Sequence, residues 1–197
     1  MIDDLLERNR AWAAGKVATD SQFFSRLVAQ QSPRYMWIGC ADSRVPANEI
    51  VGLDPGEMFV HRNVANIASP HDINYLSTLQ YAVEVLGVTD VLVVGHYGCG
   101  GVAAAVDGAD HGLVDHWIEP IRDIARDHKA ELEAITDAQA RADRLVELNV
   151  MHQACSVART SIVQRRRKAG HVIDVHAWAY SLRTGLVTPL QSDLTKL

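Results

Sequence analysis

Two short stretches of this chain carry side chains suited to holding a metal ion. In Val91-Leu92-Val93-Val94-Gly95-His96-Tyr97-Gly98-Cys99-Gly100-Gly101, four consecutive apolar residues predict a buried strand. Glycines then turn the chain, leaving His96 and Cys99 just past the strand end. An imidazole and a thiol two residues apart can share one ion, although such a pair alone more often reflects packing. A second apolar run, Tyr35-Met36-Trp37-Ile38-Gly39, stops at Cys40-Ala41-Asp42-Ser43-Arg44, adding another thiol and a carboxylate on a matching turn. If the two strands are parallel, Cys40, His96 and Cys99 converge. Two sulfurs and one nitrogen suit Zn²⁺. A structural zinc site wants a fourth strong ligand, and the remaining cysteine, Cys155, falls in a predicted helix. Three protein ligands and a vacancy is the catalytic pattern.

The surrounding pattern supplies elements to position these turns. Residues 3–16 predict an amphipathic helix, and Thr19-Asp20-Ser21-Gln22 has capping-box spacing for a second helix to about Gln31. Together they form a helical arm, 1–31, ahead of the first strand at 34–39. A short helix is expected over 46–53, a turn at Asp54-Pro55-Gly56 and a second strand over 58–63. A helix over 72–86, closed by Gly87, places Ile73, Leu76, Leu79, Val83 and Leu86 in one core-facing stripe. After the strand at 90–95 come a short helix from Val102, a polar loop at 107–112, and a helix over 115–135 containing Pro120. Residues 138–168 read as helical with a break near Asn149, and Gly170 ends the run. A fourth strand is expected over 171–178 and a short edge strand over 186–190. Strands alternating with helices argue for an α/β fold, with a mostly parallel sheet of four strands plus the edge strand, flanked by helices. In such sheets ligands sit outside the carboxyl ends of the strands. No internal repeat, low-complexity segment or domain boundary interrupts 1–197, which reads as a single domain.

The chain's 197 residues suffice for one sizeable core, and its formal charge of −5 gives no reason to expect nucleic acid. The basic run Arg165-Arg166-Arg167-Lys168 reads as a solvated helix C-terminus. No apolar run approaches the roughly 18 residues of a membrane span. An acidic start without a basic-then-apolar order, and three cysteines, favour a cytoplasmic protein with reduced thiols over a disulfide framework.

Taken together, Cys40-Ala41-Asp42-Ser43-Arg44-Val45 and His96-Tyr97-Gly98-Cys99-Gly100-Gly101 resemble the β-class carbonic anhydrases, in that family's order and at about its separation. The resemblance implies a zinc enzyme hydrating CO2 reversibly to bicarbonate and a proton through zinc-bound hydroxide. It implies one Zn²⁺ per chain on Cys40, His96 and Cys99, and a dimer or tetramer. It also makes Asp42 and Arg44 a catalytic dyad. A carboxylate two residues from a ligand can itself fill the vacancy, and Arg44 can hold it off through a bidentate pair. Two thiolates cancel the ion's formal charge, so activity is expected to rise on the alkaline side of neutrality.

Trp37, Arg62 and Tyr180 further resemble a non-catalytic bicarbonate pocket of some β-class enzymes, and all three can donate to a small anion. In those enzymes the anion displaces the turn at Val45, the dyad breaks and Asp42 closes onto zinc, favoured at low pH. Core packing for Trp37 and Tyr180 with surface pairing for Arg62 is the plainer alternative. Hydrolysis of CS2 or COS at a similar site, a non-catalytic bicarbonate sensor, and a redox pair of Cys40 and Cys99 are rival functions. The other histidines, His61, His71, His111, His116, His128, His152, His171 and His176, have no partner pattern; Cys155 reads as a small core residue, and no Gly-Lys-Ser/Thr follows the glycines.

Overall fold

The computed structural model describes residues 2–190. The chain divides into two compact units, Met1–Ser32 and Pro33–Leu197.

The first unit holds α1 (Ile2–Thr19) and α2 (Phe23–Ala29). Trp12 meets Phe23 and Phe24 edge-on, with centroids 6.4 and 5.8 Å away. The expected cap at Thr19 does not form. α1 continues through Thr19, whose hydroxyl donates to the Gly15 carbonyl one turn back. Asp20 takes the turn instead, accepting from the Gln22 N–H and pairing with Arg26. An anionic carboxylate is the better acceptor at a helix start. Leu5, Leu6, Trp12 and Val17 remain exposed.

The second unit is a five-stranded sheet with helices. In chain order its elements are β1 (Tyr35–Cys40), α3 (Ala47–Val51), β2 (Met58–Asn63), α4 (Ile73–Gln80), β3 (Asp90–His96), α5 (Gly100–Ala104), α6 (Leu113–Asp127), α7 (Lys129–Ala134), α8 (Ala138–Arg159), α9 (Ser161–Lys168), β4 (Asp174–Tyr180) and β5 (Val187–Pro189). The strand order is β2-β1-β3-β4-β5, parallel except for β5, which runs antiparallel to β4. From β1 the chain first steps outward to β2, then crosses back to β3 on the other side. The β1/β3 boundary is therefore the topological switch point, where open α/β sheets form a crevice beyond their carboxyl ends.

Alternation along the strands gives the sheet two buried faces. Met36, Ile38, Cys40, Val91, Val93, Val175 and Ala177 join the main core with residues of the helices, among them Tyr75, Leu79, Ile118, Ile121, Val157 and Val163. Trp37, Leu92 and Val94 form a smaller cluster with Val45, Ala47 and Met58, and Trp178 and Tyr180 pack on its edge.

Several expected boundaries move for physical reasons. α8 runs unbroken past Asn149, which is fully buried, and the break falls at Thr160. The Thr160 hydroxyl accepts from the Val163 N–H to cap α9. The helix expected over 115–135 divides at His128 into α6 and α7, with Pro120 inside α6. The expected stripe holds at Leu79 and Val83, which are buried, and at Leu76 and Leu86, which pack on the main core, and departs only at Ile73. Asp72 caps α4 and Ile73 faces outward at 78% exposed, while Tyr75 and Leu79 are buried. A π turn follows at Tyr81–Val85, with Ala82 and Val83 buried. α5 starts earlier than expected, immediately after Cys99. β4 starts later, at Asp174, because Gly170 ends α9 in the left-handed region and Arg167 donates to the Ile173 carbonyl.

Candidate metal centre

The switch point brings the two predicted turns together. Cys40 is the last residue of β1, and the Ala41 N–H still reaches the Asn63 carbonyl of β2 at 2.8 Å. The Val45 N–H closes the following turn on the Asp42 carbonyl at 3.1 Å. From β2, Arg62 braces the same turn, donating from Nε to the Cys40 carbonyl at 2.8 Å and from Nη2 to the Asp42 carbonyl. His96 ends β3, and the Tyr97 N–H continues the pairing to the Tyr180 carbonyl. Gly98 adopts a φ of 72°, a left-handed turn that suits glycine, and the chain re-enters at Cys99 as the residue preceding α5.

Cys40 Sγ and Cys99 Sγ lie 3.8 Å apart, and the ligand atoms of Cys40, His96 and Cys99 all fall within 4.8 Å of one another. Tetrahedral coordination with Zn–S near ~2.3 Å sets two sulfurs about 3.8 Å apart, so this spacing fits a zinc ion. His96 is fully buried, and among the described residues its Nε2 has no hydrogen-bond partner. A buried imidazole nitrogen is seldom left so unless it ligates something. The contact with Cys99 pulls the Cys40 thiol well below the usual range, with help from nearby backbone N–H groups. The hydrogen bond to Cys40, then burial and the negative charge there, push the Cys99 thiol far up. A divalent cation between them removes that conflict and lets both serve as thiolates.

Asp42 stands beside the three ligands and is turned toward Arg44. Arg44 Nε donates to one carboxylate oxygen at 3.0 Å and Nη2 to the other at 2.7 Å, while the Arg44 N–H adds a third bond at 2.9 Å. These bonds hold the Asp42 carboxyl well below the ordinary range. Its Oδ2 is 3.7 Å from His96 Nε2.

Of the three residues expected around an anion, Trp37 is fully buried and, among the described residues, its Nε1 is without a partner. The indole lies under Gly39, where an added Cβ would come 2.1 Å from Nε1. Trp37, Val45 and Tyr180 share the smaller core cluster, whereas Arg62 is engaged with the turn's carbonyls. The remaining histidines are placed elsewhere. His176 pairs with Asp90, which opens β3 at the sheet's amino end, and His111 and His128 pair with Asp107 and Glu131. Cys155 is half-buried and packs against the main core.

Sequence reasoning missed one part of the site. The turn after β2 places Ala65 and Asn66 at φ 62° and 50°, the only non-glycine residues at positive φ among those described. Side chains from α8 hold this turn. Their signal was available as Asn149, Gln153 and Ser156, polar residues at one-face helical spacing among apolar neighbours.

The carbonic anhydrase family model matches residues 35–187, which span both ligand turns. Over 191 residues the chain is 48% identical to a carbonic anhydrase of Emericella nidulans, covering 97% of this chain and 84% of that one. A Pseudomonas aeruginosa carbonic anhydrase is 34% identical over 176 residues, covering 86% and 79%. Among solved structures, a tetrameric β-carbonic anhydrase from Sordaria macrospora superposes with a TM-score of 0.92 at 37% identity, covering 97% of each chain. The Coccomyxa β-carbonic anhydrase in complex with acetazolamide gives 0.93 at 36%, covering 100% of this chain and 95% of that one. The zinc-compatible sulfur spacing, the placement of the ligands at the switch point and these similarities agree, and the chain belongs to the β-class carbonic anhydrases.

Proposed function

We propose that this chain catalyses the reversible hydration of CO2 to bicarbonate and a proton, with Cys40, His96 and Cys99 holding one zinc ion and Asp42 and Arg44 aiming the reacting water. The observation that carries this reading is the meeting of two sulfurs and an orphaned imidazole nitrogen beside a carboxylate that Arg44 keeps turned away. When bound, zinc supplies the Lewis acidity that makes water nucleophilic without strong base. The protein's residues supply orientation. Asp42 is held ionised, so it accepts a hydrogen bond and does not give one, which turns a water's lone pair toward the carbon of CO2. Arg44 fixes the plane of that acceptor with its two-pronged donation.

Regulation by bicarbonate and pH is the second part of the proposal. The buried Trp37 Nε1 offers a donor to a small anion, with Tyr180 and Val45 in the same cluster. Arg62 braces the Cys40 and Asp42 carbonyls, so an anion that recruits this guanidinium loosens the turn bearing the dyad. Released from Arg44, Asp42 would be free to turn toward His96, whose Nε2 is 3.7 Å from its Oδ2, and could itself serve as a ligand to the ion that Cys40, His96 and Cys99 would hold. Such closure would be favoured at low pH, where hydroxide is scarce. Self-association as a dimer or tetramer is part of the same reading, in keeping with the tetrameric Sordaria macrospora relative.

The test is metal analysis coupled to stopped-flow CO2 hydration across pH. One zinc per chain, with activity rising above neutrality, is expected. Full activity after the metal is stripped would overturn the reading, and turnover of CS2 or COS without CO2 would redirect it.

A further inference from the structure

Every polar side chain that fixes the segment 63–68 comes from elsewhere in the fold or from the loop's own first residue. Asn63 brackets the turn, its Oδ1 accepting from the Ile67 N–H and its Nδ2 donating to the Ile67 carbonyl, both at 2.8 Å. Trp117 Nε1 on α6 donates to the Val64 carbonyl at 2.8 Å. α8 supplies the rest. Asn149 Nδ2 donates to the Ala65 carbonyl at 3.0 Å, and its Oδ1 accepts from Gln153 Nε2 at 3.0 Å. Gln153 Oε1 accepts from the Ala68 N–H at 2.9 Å, and the Ser156 hydroxyl donates to the Ala68 carbonyl at 2.8 Å. Asn149 and Gln153 are buried polar side chains in a helix that otherwise faces an apolar core.

Such a row is expensive to bury, so its product matters. What it holds is a backbone conformation that alanine avoids, at a residue with no exposed surface. The same segment touches all three ligand-bearing stretches. At its head, the Asn63 carbonyl accepts from the N–H of Ala41, the residue after Cys40, at 2.8 Å. Val64 and Ala65 lie against Gly101, two residues past Cys99, where an added Cβ would come within 2.7 and 3.1 Å. Asn66 Oδ1 lies 3.3 Å from the Cβ position of Gly95, the residue before His96.

We propose that Asn149, Gln153 and Ser156 of α8 are positioning residues for the metal centre, holding the 64–68 turn in its left-handed form so that it buttresses the three stretches that carry Cys40, His96 and Cys99. The proposal rests on the assignment of a zinc site to Cys40, His96 and Cys99. The row acts on the site through the loop, and none of its members is among the three ligand residues.

The test compares Asn149→Leu and Gln153→Leu with Val163→Ala, a buried substitution on α9 in the same main core. Zinc release is timed with a chelating dye, and the sulfur-to-metal charge-transfer band is recorded on the cobalt-substituted protein. Thermal stability is measured in parallel. The row variants are expected to release zinc about tenfold faster, the usual scale for outer-shell losses, and to shift the cobalt band. Val163→Ala is expected to lower stability with release and spectrum unchanged. Ser156→Ala, at the end of the row, serves if the leucine variants do not fold, and is expected to shift both readouts in the same direction by a smaller factor. Row variants, or Ser156→Ala in their place, that match Val163→Ala in both readouts would reduce the row to ordinary core structure and overturn the proposal. Wild-type protein that takes up no zinc would instead sink the metal-site assignment.

Discussion

Replacing Gly101 by alanine tests how tightly the 64–68 turn and the metal-bearing turns are fitted together. The new Cβ would lie 2.7 Å from Val64 Cγ1, 3.1 Å from Ala65 Cβ and 3.6 Å from the Ala65 nitrogen. The first contact requires movement and the second is tight, while Ala65 is held by the bond from Asn149. Overpacking of this kind costs about 1–3 kcal/mol. The helical propensity gained on replacing glycine offsets at most ~1 kcal/mol. The expected net loss is about 1–2 kcal/mol, and each kcal/mol lowers the melting temperature of a chain this size by about 2–4 °C. Because the displaced atoms belong to the turn packed against the segment that follows Cys99, zinc release should also accelerate. Adding Val64→Ala removes the 2.7 Å contact and leaves the two milder ones, so the double variant should recover most of the loss. The coupling between the two changes should therefore approach 1 kcal/mol, roughly the scale seen for residues in contact. Thermal melts at fixed protein concentration and dye-monitored zinc release provide the measurements. A single variant indistinguishable from wild type, or a double variant showing the plain sum of two losses, would refute the reasoning.

Three further outcomes are expected. Arg44→Gln removes both guanidinium bonds to Asp42 and leaves the backbone donor, so CO2 hydration should fall about tenfold at neutral pH and less at alkaline pH; an unchanged pH profile would contradict the dyad. Trp37→Phe and Tyr180→Phe should each relieve bicarbonate inhibition at mildly acidic pH while sparing alkaline activity, and wild-type inhibition in both would remove the anion pocket. His61 is held by burial below its ordinary value, against a weaker opposing pull from Asp72, with Asn63 and the Tyr75 ring as its neighbours. The unfolded chain therefore takes up that proton first, so the contribution is present above pH ~6.5 and is lost as pH falls toward the lower folded value. His61→Gln should flatten the decline of urea midpoints over that acidic window, and an identical slope would contradict the assignment.

The ligand turns were legible because each follows an uninterrupted apolar run, and because thiols and an imidazole have few other reasons to meet at strand ends. Parallel alternation then sufficed to place them together. The turn at Ala65 and Asn66 was not legible, since nothing about an alanine announces a left-handed backbone; only its distant partners on α8 impose it. Asn149 was read locally, as a residue that starts helices, when its side chain answers a carbonyl 84 positions away. Ile73 was misplaced because it is the first residue of α4, next to the Asp72 cap, where the helix end meets solvent. Trp37 was readable as an aromatic on a buried strand, but its unanswered nitrogen is a property of the packed cluster alone.

The β1/β3 boundary has a consequence for assembly. Cys40 and His96 stand on neighbouring inner strands whose apolar residues are packed by helices on one side and by the Trp37 cluster on the other. Sheet formation brings these two ligands side by side, unlike in small zinc-dependent domains, which need the ion to fold at all. Stripping the ion should therefore leave the chain folded, and zinc returned to it should find its ligands already assembled.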